Sequence, residues 1–255
     1  MTTPTSTHAS SDRSAESRTR ILDAAIRQFS LNGLAGARTE QIAEEAGVNK
    51  ALLYYYFKGK EDLYASALES VAEGVRASSV AALEGSATPG ERFLCAVLNH
   101  FDRIHTNSGF QNLMQQEMIR LHRGEENALT TLAEKVFRPL HERMMQVIGE
   151  GVASGELIAV DPLQFTYAAL GANVFYFLSA PMMRLVQGKD IDPLDPGVLE
   201  FRRSAAITYL GKAIFVDRAH GTRVAARVLA LTPMPPSGGV RPHWLRNSAS
   251  ESIEK

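Results

Sequence analysis

One cysteine, Cys95, stands in a chain of 255 residues. A disulfide framework and a multi-cysteine zinc site are therefore excluded. Net charge is scarce as well: 27 Lys and Arg against 28 Asp and Glu leave −1. With no global basic field, a nucleic-acid role has to come from a local patch. The first twenty residues, MTTPTSTHASSDRSAESRTR, hold no apolar run, so a secretory signal is not expected and the cytoplasm is. P-loop, GxGxxG, GxSxG and HExxH motifs are missing, which argues against an enzyme. His105, His122 and His141 lack metal-ligand spacing, so neither a metal nor a cofactor is expected. Cys95 reads as an inert buried thiol, with only Arg92 as a nearby cation on its helix.

Strand alternation is also missing, and apolar residues recur at three- and four-residue spacing. The chain is expected to be all-α. Ile21, Leu22, Ala25, Ile26 and Phe29 form a stripe that stops at Asn32-Gly33. Thr88-Pro89, Asp161-Pro162 and Asp195-Pro196 each pair a capping residue with proline at the first helical position. A long helix over about 126–153 should be kinked at Pro139. No charge falls between Asp161 and Arg184, a length sufficient to span a bilayer. Pro162, Gln164, Thr166, Asn173 and Pro181 interrupt that run, so a helix buried on all sides within a bundle is the better expectation, with no membrane partner.

Residues 39–57, TEQIAEEAGVNKALLYYYF, carry the most information. Two short helices meet at Ala46-Gly47-Val48-Asn49. Gly47 supplies the positive φ that ends one helix, and Asn49 caps the next. Ile42, Ala43, Ala46, Val48 and Leu53 provide the apolar lock. This is helix-turn-helix logic, in which the second helix enters the major groove. Between Ala46 and Lys60 lie Lys50, Lys58 and Lys60 and no acid, a local charge of +3. Glu40, Glu44 and Glu45 on the preceding helix are expected to face away from DNA. Tyr54, Tyr55 and Tyr56 lie ~100° apart on a helix and cannot share a face. One packs inward with Phe57, and the others point out toward phosphates and thymine methyls.

Residues 18–63 resemble the N-terminal DNA-binding domain of TetR-family transcriptional regulators. The matching set is Ile21-Leu22-Asp23-Ala24-Ala25, Phe29, Gly33, Ile42-Ala43, Ala46-Gly47-Val48, Leu53-Tyr54, Tyr56-Phe57, Lys60-Glu61 and Leu63. The resemblance implies a homodimer reading adjacent major grooves of a double-stranded operator. It places Lys50, Ala51, Leu52, Tyr54 and Tyr55 near bases or adjacent phosphates, and Tyr56 and Lys60 on phosphate. Arg38 departs from the family's usual Ser or Thr and would bond phosphate instead. Thr39 stands where an apolar residue is usual and would take over capping. Ala51 replaces a frequent Gly.

Four segments follow: a disordered tail over 1–15, a helix-turn-helix domain over 16–66, a helical effector-binding and dimerisation domain over 67–220, and a largely disordered tail over 221–255. Trp244 lies in the last, either loose or docked on the body. The resemblance implies a small-molecule effector. Candidate lining residues are Phe93, Val97, Phe101, Met114, Met118, Phe137, His141, Met144 and Phe175, with Met145 and Phe177 beside them. Helices over about 162–187 and 196–216 are rich in small residues. Ala168, Ala169, Gly171 and Ala172, with Ala205, Ala206, Tyr209, Leu210, Ala213 and Ile214, suit a self-complementary four-helix interface. The expected function is a ligand-responsive repressor released from a palindromic operator by a small apolar effector. An activator of the same fold and an effector-independent architectural protein are the alternatives.

Overall fold

A computed structural model describes residues 7–85, 87–125, 128–188 and 192–236. Trp244 and residues 237–255 fall outside the described residues, as do residues 1–6. The protein is all-α, with an N-terminal three-helix helix-turn-helix followed by further helices. In chain order these are α1 (Thr7–Gly36), α2 (Thr39–Glu45), α3 (Lys50–Tyr56), α4 (Lys60–Glu84), α5 (Pro89–Thr106), α6 (Ser108–His122), α7 (Leu129–Leu132), α8 (Arg138–Ala153), α9 (Pro162–Gln187), α10 (Pro196–Ile214) and α11 (Arg218–Leu231). The chain divides into two compact units, residues 1–74 with 109–136, and residues 75–108 with 137–255.

In the first unit the apolar stripe of α1 is buried except at Ile26, which is half-buried. Ile21, Ala25 and Phe29 are buried, as are Ile42, Leu53, Phe57, Leu63 and Leu68 of the helices that follow. Phe29 meets the ring of Tyr64 edge-on, with centroids 4.9 Å apart. Helical geometry in α1 breaks at Gly33 (φ 69°), at the stop expected from Asn32-Gly33. Glu117 of α6 has no exposed surface. Its carboxylate accepts from Tyr64 Oη at 2.9 Å, Arg120 Nη1 at 2.7 Å and the Ala128 amide at 2.8 Å. A buried charge is tolerable only with such full pairing. Burial, then the Glu117 charge, push the Tyr64 hydroxyl pKa well above the usual phenol value.

The second unit is built around α5. Its Phe93, Leu94, Val97 and Leu98 pack among Met144, Val147, Ile148, Ala169, Ile207, Leu210, Ile214, Val224 and Val228. Asp102 and Arg203 form a buried two-pronged ion pair, both bonds 2.7 Å, and Arg203 also donates to the Thr232 carbonyl at 2.9 Å. Planar guanidinium matches carboxylate in this geometry. Helices α10 and α11 cross so closely that a Cβ on Gly221 would lie 2.0 Å from the Gly211 carbonyl oxygen. Only glycine permits that approach.

The proline caps stand as expected. Thr88, Asp161 and Asp195 each accept a backbone N–H in the first turn of α5, α9 and α10. Four expectations differ. Helix α1 starts at Thr7, within the stretch read as a disordered tail over 1–15. Residues 218–231, mostly assigned to the disordered 221–255 tail, form α11, capped by Asp217 and burying Val224, Ala225 and Val228. The Pro139 kink takes the form of a π turn over Ala133–Phe137, just upstream of the proline. Widening the turn accommodates the ring and the missing N–H. Helix α9 is not buried on all sides. Only Thr166, Ala169, Asn173 and Ala180 are buried along it, while Tyr167, Phe175, Leu178, Met182, Leu185 and Val186 are exposed. By length and composition α9 is the one described helix apolar enough to cross a membrane.

Candidate nucleic-acid interface

The turn between α2 and α3 closes through two backbone bonds. The Val48 amide donates to Ala43 O at 2.9 Å and the Gly47 amide to Glu44 O at 3.0 Å. This is the Schellman pattern, and it needs Gly47 at φ 65°. Asn49 then caps α3, its Oδ1 accepting the Leu52 amide at 2.8 Å. Ile42, Ala43, Ala46 and Leu53 are buried as expected, and Val48 is half-buried. Asn49→Ala should cost about 1 kcal/mol of stability in the first unit, the usual worth of such a cap. Thermal unfolding would measure it; an unchanged transition would show that the cap contributes nothing.

Locked in this way, α3 presents Lys50, Ala51, Tyr54 and Tyr55 to solvent. Tyr55 is 79% exposed. Leu52 and Tyr56 are half-buried. Tyr56 turns inward, as one of the three tyrosines was expected to. Its ring lies 5.2 Å from that of Tyr55, and its hydroxyl meets Ser14 Oγ at 2.9 Å. Tyr54 stands at the junction of α2 and α3, its hydroxyl 3.2 Å from Thr39 Oγ1. Thr39 is itself buried and does not cap α2, contrary to expectation. Its hydroxyl meets Tyr54, and Arg38, exposed at the cap position, makes no capping bond either.

The local charge is less free than the sequence suggests. Glu40, expected to face away, is hydrogen-bonded to Lys50 Nζ. That bond holds the Glu40 carboxyl below, and the Lys50 ammonium above, their ordinary pKa values. Lys50 also lies 5.7 Å above the Tyr54 ring. Lys60 Nζ donates to the Ala35 carbonyl at 3.1 Å, where α1 ends. Glu45 pairs with Arg27. Lys58 and Arg38 remain exposed. Sequence spacing missed the Glu40–Lys50 contact because the two residues are ten apart, in the first turns of different helices.

The effector candidates do not form one lining. Phe93, Val97, Phe101 and Met144 are buried, Phe93 beside Phe165 and Phe101 beside Phe177, each pair 5.1 Å apart. Phe137, Met145 and Phe177 are half-buried, and so is Met114 in the first unit. His141 and Phe175 are exposed, as is Met118 of the first unit. A separate open groove of about 520 Å³ is lined by Thr88, Pro89, Ser154, Gly155, Glu156, Val216, Asp217 and His220. Its Glu156 carboxylate already accepts from Thr88 Oγ1 at 2.5 Å and the Gly90 amide at 2.9 Å. Among the described residues no three His, Cys, Asp or Glu converge on a metal position. Cys95 is half-buried, and burial pushes its thiol pKa up.

Comparison with known proteins agrees with this geometry. The family model for bacterial regulatory proteins of the tetR family matches residues 21–67. The HTH-type transcriptional repressor SCO4008 of Streptomyces coelicolor is 48% identical over 52 residues, 20% of this chain and 27% of that one. The chain thus matches about a quarter of that relative's length. The HTH-type transcriptional regulator RutR of Escherichia coli is 27% identical over 169 residues, 66% of this chain and 77% of RutR. A crystal structure of a TetR/AcrR-family transcriptional regulator from Thermobifida fusca superimposes with a TM-score of 0.53 at 26% identity, covering 76% of this chain and 95% of that one. Residues 21–67 thus carry the helix-turn-helix of the tetR-family model, and the chain is similar over most of its length to transcriptional regulators of that family.

Proposed function

We propose that the protein is a homodimeric repressor, released from a palindromic operator by a small apolar effector in the cytoplasm. The observation that carries the DNA-reading part is the surface of α3, where Lys50, Ala51, Tyr54 and Tyr55 project from a helix fixed by the Gly47 turn and the Asn49 cap. An exposed lysine and two exposed tyrosines suit base edges and phosphates. The helix-turn-helix would serve as one domain and the later helices as the effector-binding and dimerisation domain.

Dimerisation is supported by the exposed faces of α9 and α10. Tyr167, Gly171, Phe175, Leu178, Met182 and Leu185 recur at three- and four-residue spacing on α9. Val198, Phe201, Ala205 and Tyr209 do the same on α10. An apolar stripe of that length on a water-facing helix needs a covering surface, and a two-fold pairing supplies it. Ala169, Leu210 and Ile214, expected at the interface, are buried within the protomer, so the interface would use their exposed neighbours. The effector reading rests on the similarity to TetR-family regulators and on the Phe- and Met-rich interior around Phe93, Phe101 and Met144.

Selection of bound duplexes from a random pool, at stated salt, tests the reading. A palindrome with half-site centres about 34–36 Å apart, or a multiple, is the expected result. A transcription reporter carrying that palindrome then fixes the sign: loss of the protein should raise expression. An enriched non-palindromic site would overturn the dimer, and a fall in expression would make the protein an activator.

A further inference from the structure

The family match begins at residue 21, yet α1 begins at Thr7. The additional turns are not idle helix. Ser14 Oγ meets the Tyr56 hydroxyl at 2.9 Å. The Arg18 guanidinium lies 5.3 Å above the Phe57 ring, immediately after α3. Arg20 reaches the helix-turn-helix bend, and a Cβ on Gly47 would lie 3.5 Å from its Nη1. The extension is thus fastened to the turn and to the C-terminal end of α3, next to the most exposed tyrosine.

Its chemistry is cationic where the interface needs it. Residues 7–20 contain Arg13, Arg18 and Arg20 against Asp12 and Glu16. Arg18 and Arg20 are exposed, and neither has an acidic partner among the described residues. The expected phosphate ligands are differently occupied: Lys50 is held by Glu40 and Lys60 by the Ala35 carbonyl. Stacking on Phe57 leaves the edge of the Arg18 guanidinium open, and guanidinium is weakly hydrated and shaped for phosphate.

We propose that residues 7–20 of α1 form a second DNA-contacting element, in which Arg18 and Arg20 bind duplex phosphates flanking the groove entered by α3. The proposal rests on the DNA-reading function of α3. It assigns to the extension affinity without sequence preference, because phosphate contacts position a protein and do not specify bases.

The test uses the full chain and an Arg18→Gln/Arg20→Gln variant, with the selected operator and a scrambled duplex of equal length, across a salt series. Each lost phosphate contact should flatten the plot of log affinity against log salt by about 0.9. Two contacts per protomer are four per dimer, so between 50 and 200 mM salt affinity should fall about a hundredfold less for the variant dimer than for the native one. The loss at low salt should be equal on both duplexes. Arg18→Lys/Arg20→Lys should restore most of the slope, since charge is kept. An unchanged slope in the Gln variant, with the native protein still selecting its operator, overturns this proposal alone. A lowered melting temperature with unchanged slope assigns the arginines to packing on Phe57 and also overturns it. Selection of no duplex by the native protein removes the DNA-reading function and the proposal together.

Discussion

Leu178→Glu combined with Leu185→Glu should convert the protein to a monomer and lower operator affinity by at least about a hundredfold. Both side chains are exposed, 52% and 75%, on the α9 face that we assign to the dimer. In the protomer they touch little, so the substitutions leave its own folding almost unchanged. Across a two-fold axis they would bring like charges into an apolar contact, which like-charge repulsion and desolvation oppose. A palindrome read by two linked helices gains the effective concentration of the second site, typically worth 10²–10⁴. A monomer forfeits that gain and keeps a half-site. Sedimentation gives the mass, and titration of labelled operator gives the affinity. A variant that stays dimeric would place the interface on another face.

Glu117→Ala should destabilise the first unit by about 3–5 kcal/mol, the range for removing one member of a buried charged pair. The loss leaves the Arg120 guanidinium, the Tyr64 hydroxyl and the Ala128 amide without their shared acceptor. Arg120 keeps a second carboxylate, Glu125 at 3.3 Å, and is partly exposed, which favours the lower end of the range. Glu117→Gln keeps one acceptor oxygen and the side-chain shape, and should cost clearly less. Denaturant unfolding measures both. If Ala and Gln are equally mild, under about 1 kcal/mol, the network is incidental to the fold. Because Tyr64 packs on Phe29 beneath the helix-turn-helix, DNA binding should fail with the first unit's melting transition rather than independently of it.

What could be seen in the sequence followed from local rules. The Gly47 turn, the Asn49 cap and the proline-started helices depend on residues within a few positions of one another, and the buried Ile42–Leu53 lock follows from the apolar pattern on either side of that turn. Local backbone chemistry decides them. The misreadings have a common cause. Helix α11 has a weak apolar pattern and is held by the Gly211–Gly221 approach, a contact between helices that spacing does not encode. The start of α1 carries Ser, Thr and charge, and its anchoring on Tyr56 and Phe57 is tertiary. The full apolarity of α9 was right, but only one face meets its own protomer. Composition cannot tell a core-facing stripe from one awaiting a second copy. The effector candidates share only residue type. Type alone does not separate packed Phe93 from exposed Phe175.

In the DNA-reading role that we propose for α3, the Glu40–Lys50 pair would give base contact at Lys50 the character of an exchange reaction. A DNA acceptor that engages the ammonium displaces a carboxylate, not merely water. The outcome therefore follows the difference between two acceptors. Guanine offers O6 and N7 side by side, a strong competitor, whereas thymine offers O4 alone. Once displaced, the Glu40 carboxylate is left as an unneutralised negative charge beside the duplex, and any register that sets a phosphate against it is penalised. A lysine with no internal partner would grip every sequence. On the proposed reading, this one would first give up a glutamate ten residues away, a modest cost for a pair so exposed.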